Sequence, residues 1–384
     1  MKVNVPELLA GKRVCICVGS GGVGKTTSSA AIAMGMAALG LKVAVVTIDP
    51  ARRLADALGL KELGNEPRRV DPERFAPHGL EVHGELWAMM LDAKRTFDGL
   101  IERLAPTPQA AQEVLTNRIY EQLSGAVAGT QEFSAIAKLY ELAEQGTWDL
   151  LVLDTPPSRN ALDFLDAPDR ISEFLEGRAL QVFLRPAGIA GRVVGRGTGI
   201  VFNLLSRVTG ANLLDDLSVF FRSLGGMIGG FRERATRVKA LLTDPQTTFL
   251  LVTSPEREPI AEAIFFHEKL VQAGMPFGGA VVNRVHHDTL RGADASEARA
   301  ALAPLVGDEL AAEAARTLEE YDVLARRDVA GIARLCAALG AGTPLIAVPH
   351  LDDDVHDLEG LLRVHEWLFA PDAEREARLE TVTA

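Results

Sequence analysis

The sequence predicts an α/β protein, a doubly wound and mostly parallel sheet carrying an inserted helical subdomain. Three observations predict it. Short apolar runs rich in β-branched residues alternate with Ala- and Leu-rich helical stretches along the whole 384-residue chain. Hydrophobic residues make up 47% of the chain and aromatics only 5%, which suits strands buried between helices better than a β-sandwich. One interval between strands is too long for a single crossover helix.

The elements follow in order. Arg13 to Val18, RVCICV, leads through glycines into the Ala-rich stretch Thr26 to Leu39, giving strand, loop and helix. Gly40 stops that helix, and Lys42 to Ile48, KVAVVTI, supplies the next buried strand, closing a right-handed βαβ unit. Asp49 falls at the carboxyl end of this strand, the edge where doubly wound sheets bind their ligands. Further strands read at Leu86 to Leu91, Leu150 to Leu153, Thr248 to Thr253, Gly279 to Val282 and Pro344 to Val348. Between Leu153 and Thr248 only helix-like apolar stretches broken by Gly and Pro appear. Residues 92–146 and 165–243 are therefore read as helical insertions within one domain spanning 1–384. A long helical stretch, Ala293 to Leu339, is placed outside the sheet, and the charged tail after Asp372 is expected to fray.

A formal charge of −12 argues against a protein that coats nucleic acid or carries a polybasic membrane anchor. The first residues lack a signal-peptide pattern, and no uncharged apolar run is long enough to span a bilayer. Cys15, Cys17 and Cys336 cannot build a disulfide framework. A soluble, cytoplasmic protein is the expectation, with Cys15 and Cys17 on opposite faces of a buried strand.

The chemistry concentrates at Gly19 to Thr26, GSGGVGKT, which satisfies the G-x-x-x-x-G-K-[ST] spacing with a strand before it and a helix after it. This is the P-loop NTPase signature. Gly21, Gly22, Val23 and Gly24 let backbone N–H groups converge on phosphates at the positive end of the helix dipole. Lys25 is expected to reach the β- and γ-phosphates of ATP, and the Thr26 hydroxyl to ligate Mg²⁺. Thr27 suits an α-phosphate contact or an ordinary helix surface. Leu150 to Asp154, LLVLD, has the form of a strand whose terminal acid holds the Mg²⁺ shell, although many buried strands end in Asp. Asp49 is suited to orient the attacking water, to cap a helix beginning near Pro50, or both. Lys25, Asp49 and Asp154 are thus the candidate catalytic residues, and Asn283 alone reads as a strand-end turn former.

Together these segments resemble the arsenite (anion)-transporting ATPase family, which includes the ATPase that targets tail-anchored proteins to membranes and is related to the Min cell-division ATPases. The resemblance runs through GSGGVGKTT, through TIDPARRLADALG as a switch I with its DPA core, and through LVLDTPPSRNALDFL as a switch II. LLTDPQTTFLLVTSPE, VVNRV and PLIAVP resemble the family's later strands in order. It implies ATP hydrolysis, Asp49 as the water-orienting acid, Asp154 and Thr155 opening switch II, and Asn283 bonding adenine. The absence of N-K-x-D after Asn283 favours ATP over GTP. It also implies a homodimer, or a heterodimer with a paralogue.

Departures accompany the matches. The family's second loop position is usually a Lys that reaches across a dimer; here it is Ser20. Arg52, Arg53 or Arg159 are candidate replacement cations, with solvated or ion-paired arginines as the alternative. The paired C-x-x-C that binds zinc between subunits is absent, and His286-His287 lacks an evident third ligand. Gly177 to Leu214 contains no acid while Arg178, Arg185, Arg192, Arg196 and Arg207 punctuate apolar stretches. That segment reads as helices closing their own core, a groove for a hydrophobic client helix or membrane protein, or a surface for anionic lipid. The leading function is an ATP-driven conformational switch. Its alternative is a regulatory or scaffolding dimer with slow turnover.

Overall fold

The computed structural model describes residues 3–49, 52–118, 120, 130–155, 220, 222–287, 294–351, 354–355, 357–375 and 377. Gly177 to Leu214, most of 165–243, Pro50, Ala51 and Arg159 lie outside the described residues. The described residues fall into two compact units, one drawn from 1–90, 145–161 and 243–384, the other from 91–144 and 162–242.

The chain begins with α1 (Val5–Leu8), β1 (Val14–Val18), α2 (Lys25–Ala38), β2 (Lys42–Thr47), α3 (Arg53–Ala57), β3 (Arg68–Arg69) and β4 (Glu85–Met90). Helices α4 (Ala93–Leu104), α5 (Pro108–Leu115) and α6 (Thr130–Glu144) precede β5 (Leu150–Asp154), and α7 (Ile228–Thr243) precedes β6 (Thr247–Thr253). Then come α8 (Arg257–Gln272), β7 (Phe277–Val285), α9 (Ala295–Val306), α10 (Asp308–Leu339), β8 (Leu345–Pro349) and α11 (Leu358–Phe369).

The first unit is built on an eight-stranded sheet in the order β3-β4-β2-β5-β1-β6-β7-β8. Every neighbouring pair runs parallel except β3 with β4. The central strands β1, β5 and β6 are buried at every residue, so their middles read as apolar runs and not as an alternation, with buried polar residues only at the ends of β5 and β6. The exposed Arg68-Arg69 edge strand has no apolar signature and was not anticipated. Helix α2 is made of small residues and is buried almost all round. Its Gly35 lies so close to α11 that a Cβ there would stand 2.2 Å from the Phe369 ring.

One expectation is corrected. Cys15 and Cys17 share one face of β1 and one hydrophobic core, because side chains two apart in a strand point the same way. Within the stretch read as helical from Ala293 to Leu339, the described residues form two helices, Ala295–Val306 and Asp308–Leu339, divided at Gly307, whose φ of 89° suits glycine.

The second unit holds α4, α5, α6 and all but the last residue of α7. Phe97 stacks on Phe231 at a centroid separation of 5.7 Å, and Arg103 pairs with Glu141 at 2.7 Å. Asp92 and Thr107 cap α4 and α5 by accepting from Arg95 N and Ala110 N. Among the described residues no helix is long and apolar enough to cross a membrane.

Candidate functional site

The site is assembled where β1 turns into α2. Gly19 leaves the strand against β6, where a Cβ would lie 1.9 Å from the Val252 carbonyl oxygen, so no side chain fits. Gly24 precedes the helix at φ 93°, and a Cβ there would stand 2.3 Å from Asn283 Nδ2. That space is used: Asn283 Nδ2 donates to the Val23 carbonyl at 3.0 Å, tying the end of β7 to the loop. Lys25 is 6% exposed, and its Nζ donates to the Ser20 carbonyl at 2.6 Å. Burial pulls its pKa down, while Asp154 and Asp49 push it back up.

Asp154 ends β5 with Cys17 of β1 and Thr47 of β2 opposite it in register. The register explains its partners. Thr47 Oγ1 donates to Asp154 Oδ2 at 2.8 Å, and Thr26 Oγ1, from the first turn of α2, donates to the same oxygen at 2.7 Å. The other oxygen, Oδ1, is buried without a hydrogen-bond partner. Burial raises the carboxyl pKa to about 6, against the lowering effect of both hydroxyls and of Lys25. A buried acid with one unsatisfied oxygen beside a Ser/Thr hydroxyl is the donor chemistry of a Mg²⁺ site whose acid acts through water. Next to it, Thr155 Oγ1 donates to the Cys17 carbonyl at 2.8 Å.

Asp49 follows β2, with its backbone N–H donating to Thr47 Oγ1 at 3.2 Å and its carboxylate 3.9 Å from Arg53 Nη1. Pro50 and Ala51, which bear on the expected helix-capping role of Asp49, lie outside the described residues. Helix α3 starts at Arg53, and its N-cap position is Arg52 at a left-handed φ of 51°. Of the candidate cations, Arg53 faces the site but is mostly solvated, Arg52 lines a separate cavity of about 210 Å³, and Arg159 lies outside the described residues.

A cavity of about 1000 Å³ opens above the loop, lined by Gly22, Gly24, Lys25, Thr26 and Thr27 and, across from them, by Asp49 and Arg53. Asn283, Arg284, Pro349 and His350 line it as well. Gly21 is exposed and Val23 buried, and neither lines the cavity; Val23 contributes the carbonyl that Asn283 holds. Asp154 sits beneath the cavity, reached through Thr26.

Several residues that shape the site were not evident from sequence. Thr47 has no motif, and only strand register reveals it. Glu262 of α8 accepts from Ser20 Oγ at 2.6 Å across 242 positions of sequence. Asp328 of α10, fully buried, accepts from both the backbone N–H and ring Nδ1 of His286, at 2.9 and 2.7 Å, and pairs with Arg327. His286 therefore lies inward, stacked on His350 at 4.9 Å. It is neither a surface loop residue nor, among the described residues, part of a metal cluster.

Residues 12–335 match the sequence profile described as anion-transporting ATPase. ATPase GET3 of Malassezia globosa is 27% identical over 274 residues, 70% of this chain and 71% of that protein. The putative arsenical pump-driving ATPase 1 of Aquifex aeolicus is 27% identical over 281 residues, 71% of this chain and 63% of its own length. ATPase ARSA2 of Chlamydomonas reinhardtii is 25% identical over 272 residues, 70% of this chain and 66% of that protein.

Proposed function

The chain belongs to the anion-transporting ATPase family and hydrolyses ATP, and from that premise we propose that it is a Mg·ATP-driven conformational switch that works as a dimer. Asp154 is the observation that carries the reading. One oxygen of this acid accepts from the first turn of α2 through Thr26 and from the end of β2 through Thr47, two residues before Asp49. A change in what Asp154 holds is therefore felt at both the phosphate loop and the loop bearing Asp49.

In this reading the triphosphate lies over residues 21–27, Lys25 turns from the Ser20 carbonyl to the β- and γ-phosphates, and Asn283 meets adenine. The Thr26 hydroxyl would hold Mg²⁺ directly and Asp154 through water, and the ion supplies positive charge against the charge spreading over the transferring phosphoryl group. Asp49 orients the attacking water, which needs position more than basicity. Arg53, 3.9 Å from Asp49, steadies that carboxylate.

The output proposed is the capture and release of a hydrophobic client helix in the cytoplasm. The relatives named above divide between arsenical pumping and GET3, so the cysteines are weighed instead. Trivalent arsenic wants converging thiolates, whereas Cys15 and Cys17 are buried within β1 and Cys336 is exposed on α10. An Asp49→Asn protein, holding ATP without turnover, tests the proposal by light scattering and by capture of a tagged hydrophobic helix. ATP-dependent dimerisation with helix capture supports it. Dimerisation alone favours a regulatory dimer, and a monomer that ignores nucleotide contradicts the switch.

A further inference from the structure

Strand β7 does not run evenly beside β8. It advances three residues, from Val282 to Val285, while β8 advances two, from Ala347 to Pro349, so β7 carries one extra residue. Within that bulge Arg284 takes a φ of 60°, a left-handed conformation that is costly for any residue with a side chain and that glycine adopts freely. The bulge has a visible effect. Asn283 and Arg284 are successive residues, which a regular strand sends to opposite faces, yet both line the cavity over the phosphate loop. Asn283 is tied to the Val23 carbonyl. Arg284 is exposed and, among the described residues, has no ion pair.

We propose that Arg284 is a nucleotide-binding residue that lays its guanidinium plane on the face of the purine base. The proposal rests on the phosphate-loop reading given above. Strand order gives the direction. Thr26, Asp154 and Asp49 gather at the start of α2 and the ends of β5 and β2, on one side of β1, and β7 lies two strands from β1 on the other side. At the usual strand spacing that is about 10 Å, the scale on which a base stands off from the terminal phosphates. The cavity offers a base few other faces. Among its described lining residues there is no Phe, Tyr or Trp, and its one aromatic ring, that of His350, is already stacked on His286. Charge alone is the smaller effect. One charge about 10 Å from the phosphates in water changes affinity about twofold, whereas a partly desolvated guanidinium packed on a ring is worth about tenfold.

The test is equilibrium binding of Mg·ATP, and of magnesium tripolyphosphate as its competitor, to Arg284→Ala, Arg284→Lys and Arg284→Gly, with unfolding by denaturant. Arg284→Ala is expected to weaken ATP by about tenfold and to leave tripolyphosphate binding unaltered, because tripolyphosphate has no base to pack. Arg284→Lys keeps the charge and the left-handed backbone but loses the plane, and is expected to lose most of the same affinity. Arg284→Gly is expected to unfold at no lower denaturant concentration than the unaltered protein while binding ATP as weakly as the alanine variant, since the backbone cost leaves with the side chain. Unaltered ATP binding in Arg284→Ala, or full affinity in Arg284→Lys, overturns the proposal. An equal loss of tripolyphosphate overturns it too, by assigning the arginine to the phosphates. Lys25→Met separates the two readings: if it keeps its affinity for ATP and tripolyphosphate, the phosphate-loop reading fails and the Arg284 assignment with it. If it loses both while Arg284→Ala loses nothing, only the Arg284 assignment fails.

Discussion

Thr47 and Asp154 face each other in register across β2 and β5, and the Thr47 hydroxyl donates to the Asp154 carboxylate at 2.8 Å. The bond matters because Asp154 is fully buried with one oxygen unpaired, so each donor it does have carries much of its stabilisation. Thr47→Val keeps the shape and removes the donor. The expected cost is about 1 kcal/mol in chemical denaturation above about pH 7, with the carboxyl titrating higher still. An unaltered midpoint and pH profile would show that the bond contributes nothing.

Asp154 makes the empty protein pH-sensitive in a direction opposite to most carboxylates. Its folded pKa of about 6 lies above its ordinary 3.8, so the folded state binds the proton more tightly. Its contribution to stability is therefore fully present below about pH 4 and is lost as pH rises through about 6, on the order of 3 kcal/mol in all. Asp154→Asn removes this dependence, and the empty variant is expected to be no less stable than the unaltered protein at about pH 8. Its ATPase rate should fall about 100-fold or more, since charge stabilisation at the phosphates is lost. Denaturation across pH, paired with turnover, checks both halves.

In the proposed reading Mg·ATP binding needs the ionised carboxylate, so it is expected to release a proton from Asp154. Calorimetry in buffers of different ionisation enthalpy at about pH 6 is expected to show that release, and to show it fade at about pH 8. Retention of the proton release in Asp154→Asn would assign it to another group.

Gly24→Ala sets a methyl group against Asn283 Nδ2 at a φ that alanine resists. Loss of the bond to the Val23 carbonyl and strain of about 1–3 kcal/mol are expected, read as weaker ATP binding of about tenfold. Asn283→Ala should weaken ATP binding without that strain, and the two effects should not add, because both break the same tie.

Asp328→Ala strips the buried end of β7 of the acid that accepts from His286 twice. A loss of about 2–4 kcal/mol in unfolding free energy is expected. A raised KM for ATP should accompany it, since Asn283 lies on β7 three residues before His286. A loss of stability with unaltered KM would separate Asp328 from the site.

What could be read from sequence follows from what is local. Glycine spacing before Lys25, β-branched runs and strand-ending acids are properties of short segments, so the parallel core, the phosphate loop, Asp49 and Asp154 were all legible. Thr47, Glu262 and Asp328 owe their place to strand register or to a helix packed from far along the chain, and no short pattern encodes either. The Cys15 and Cys17 error was different in kind. Strand periodicity already places residues two apart on one face, and the structure returns that rule. Gly307 was equally available as a helix break inside 293–339, since Asp308 and Glu309 after it are acids that favour the first turn of a new helix.

Asp49 is proposed to act in the chemical step, not in nucleotide capture. Single-turnover hydrolysis of Mg·ATP by Asp49→Asn, beside its affinity for Mg·ATP, measures the two separately. The expected result is affinity within about threefold of the unaltered protein and a hydrolysis rate lower by about 100-fold or more. Hydrolysis at the unaltered rate would contradict the account.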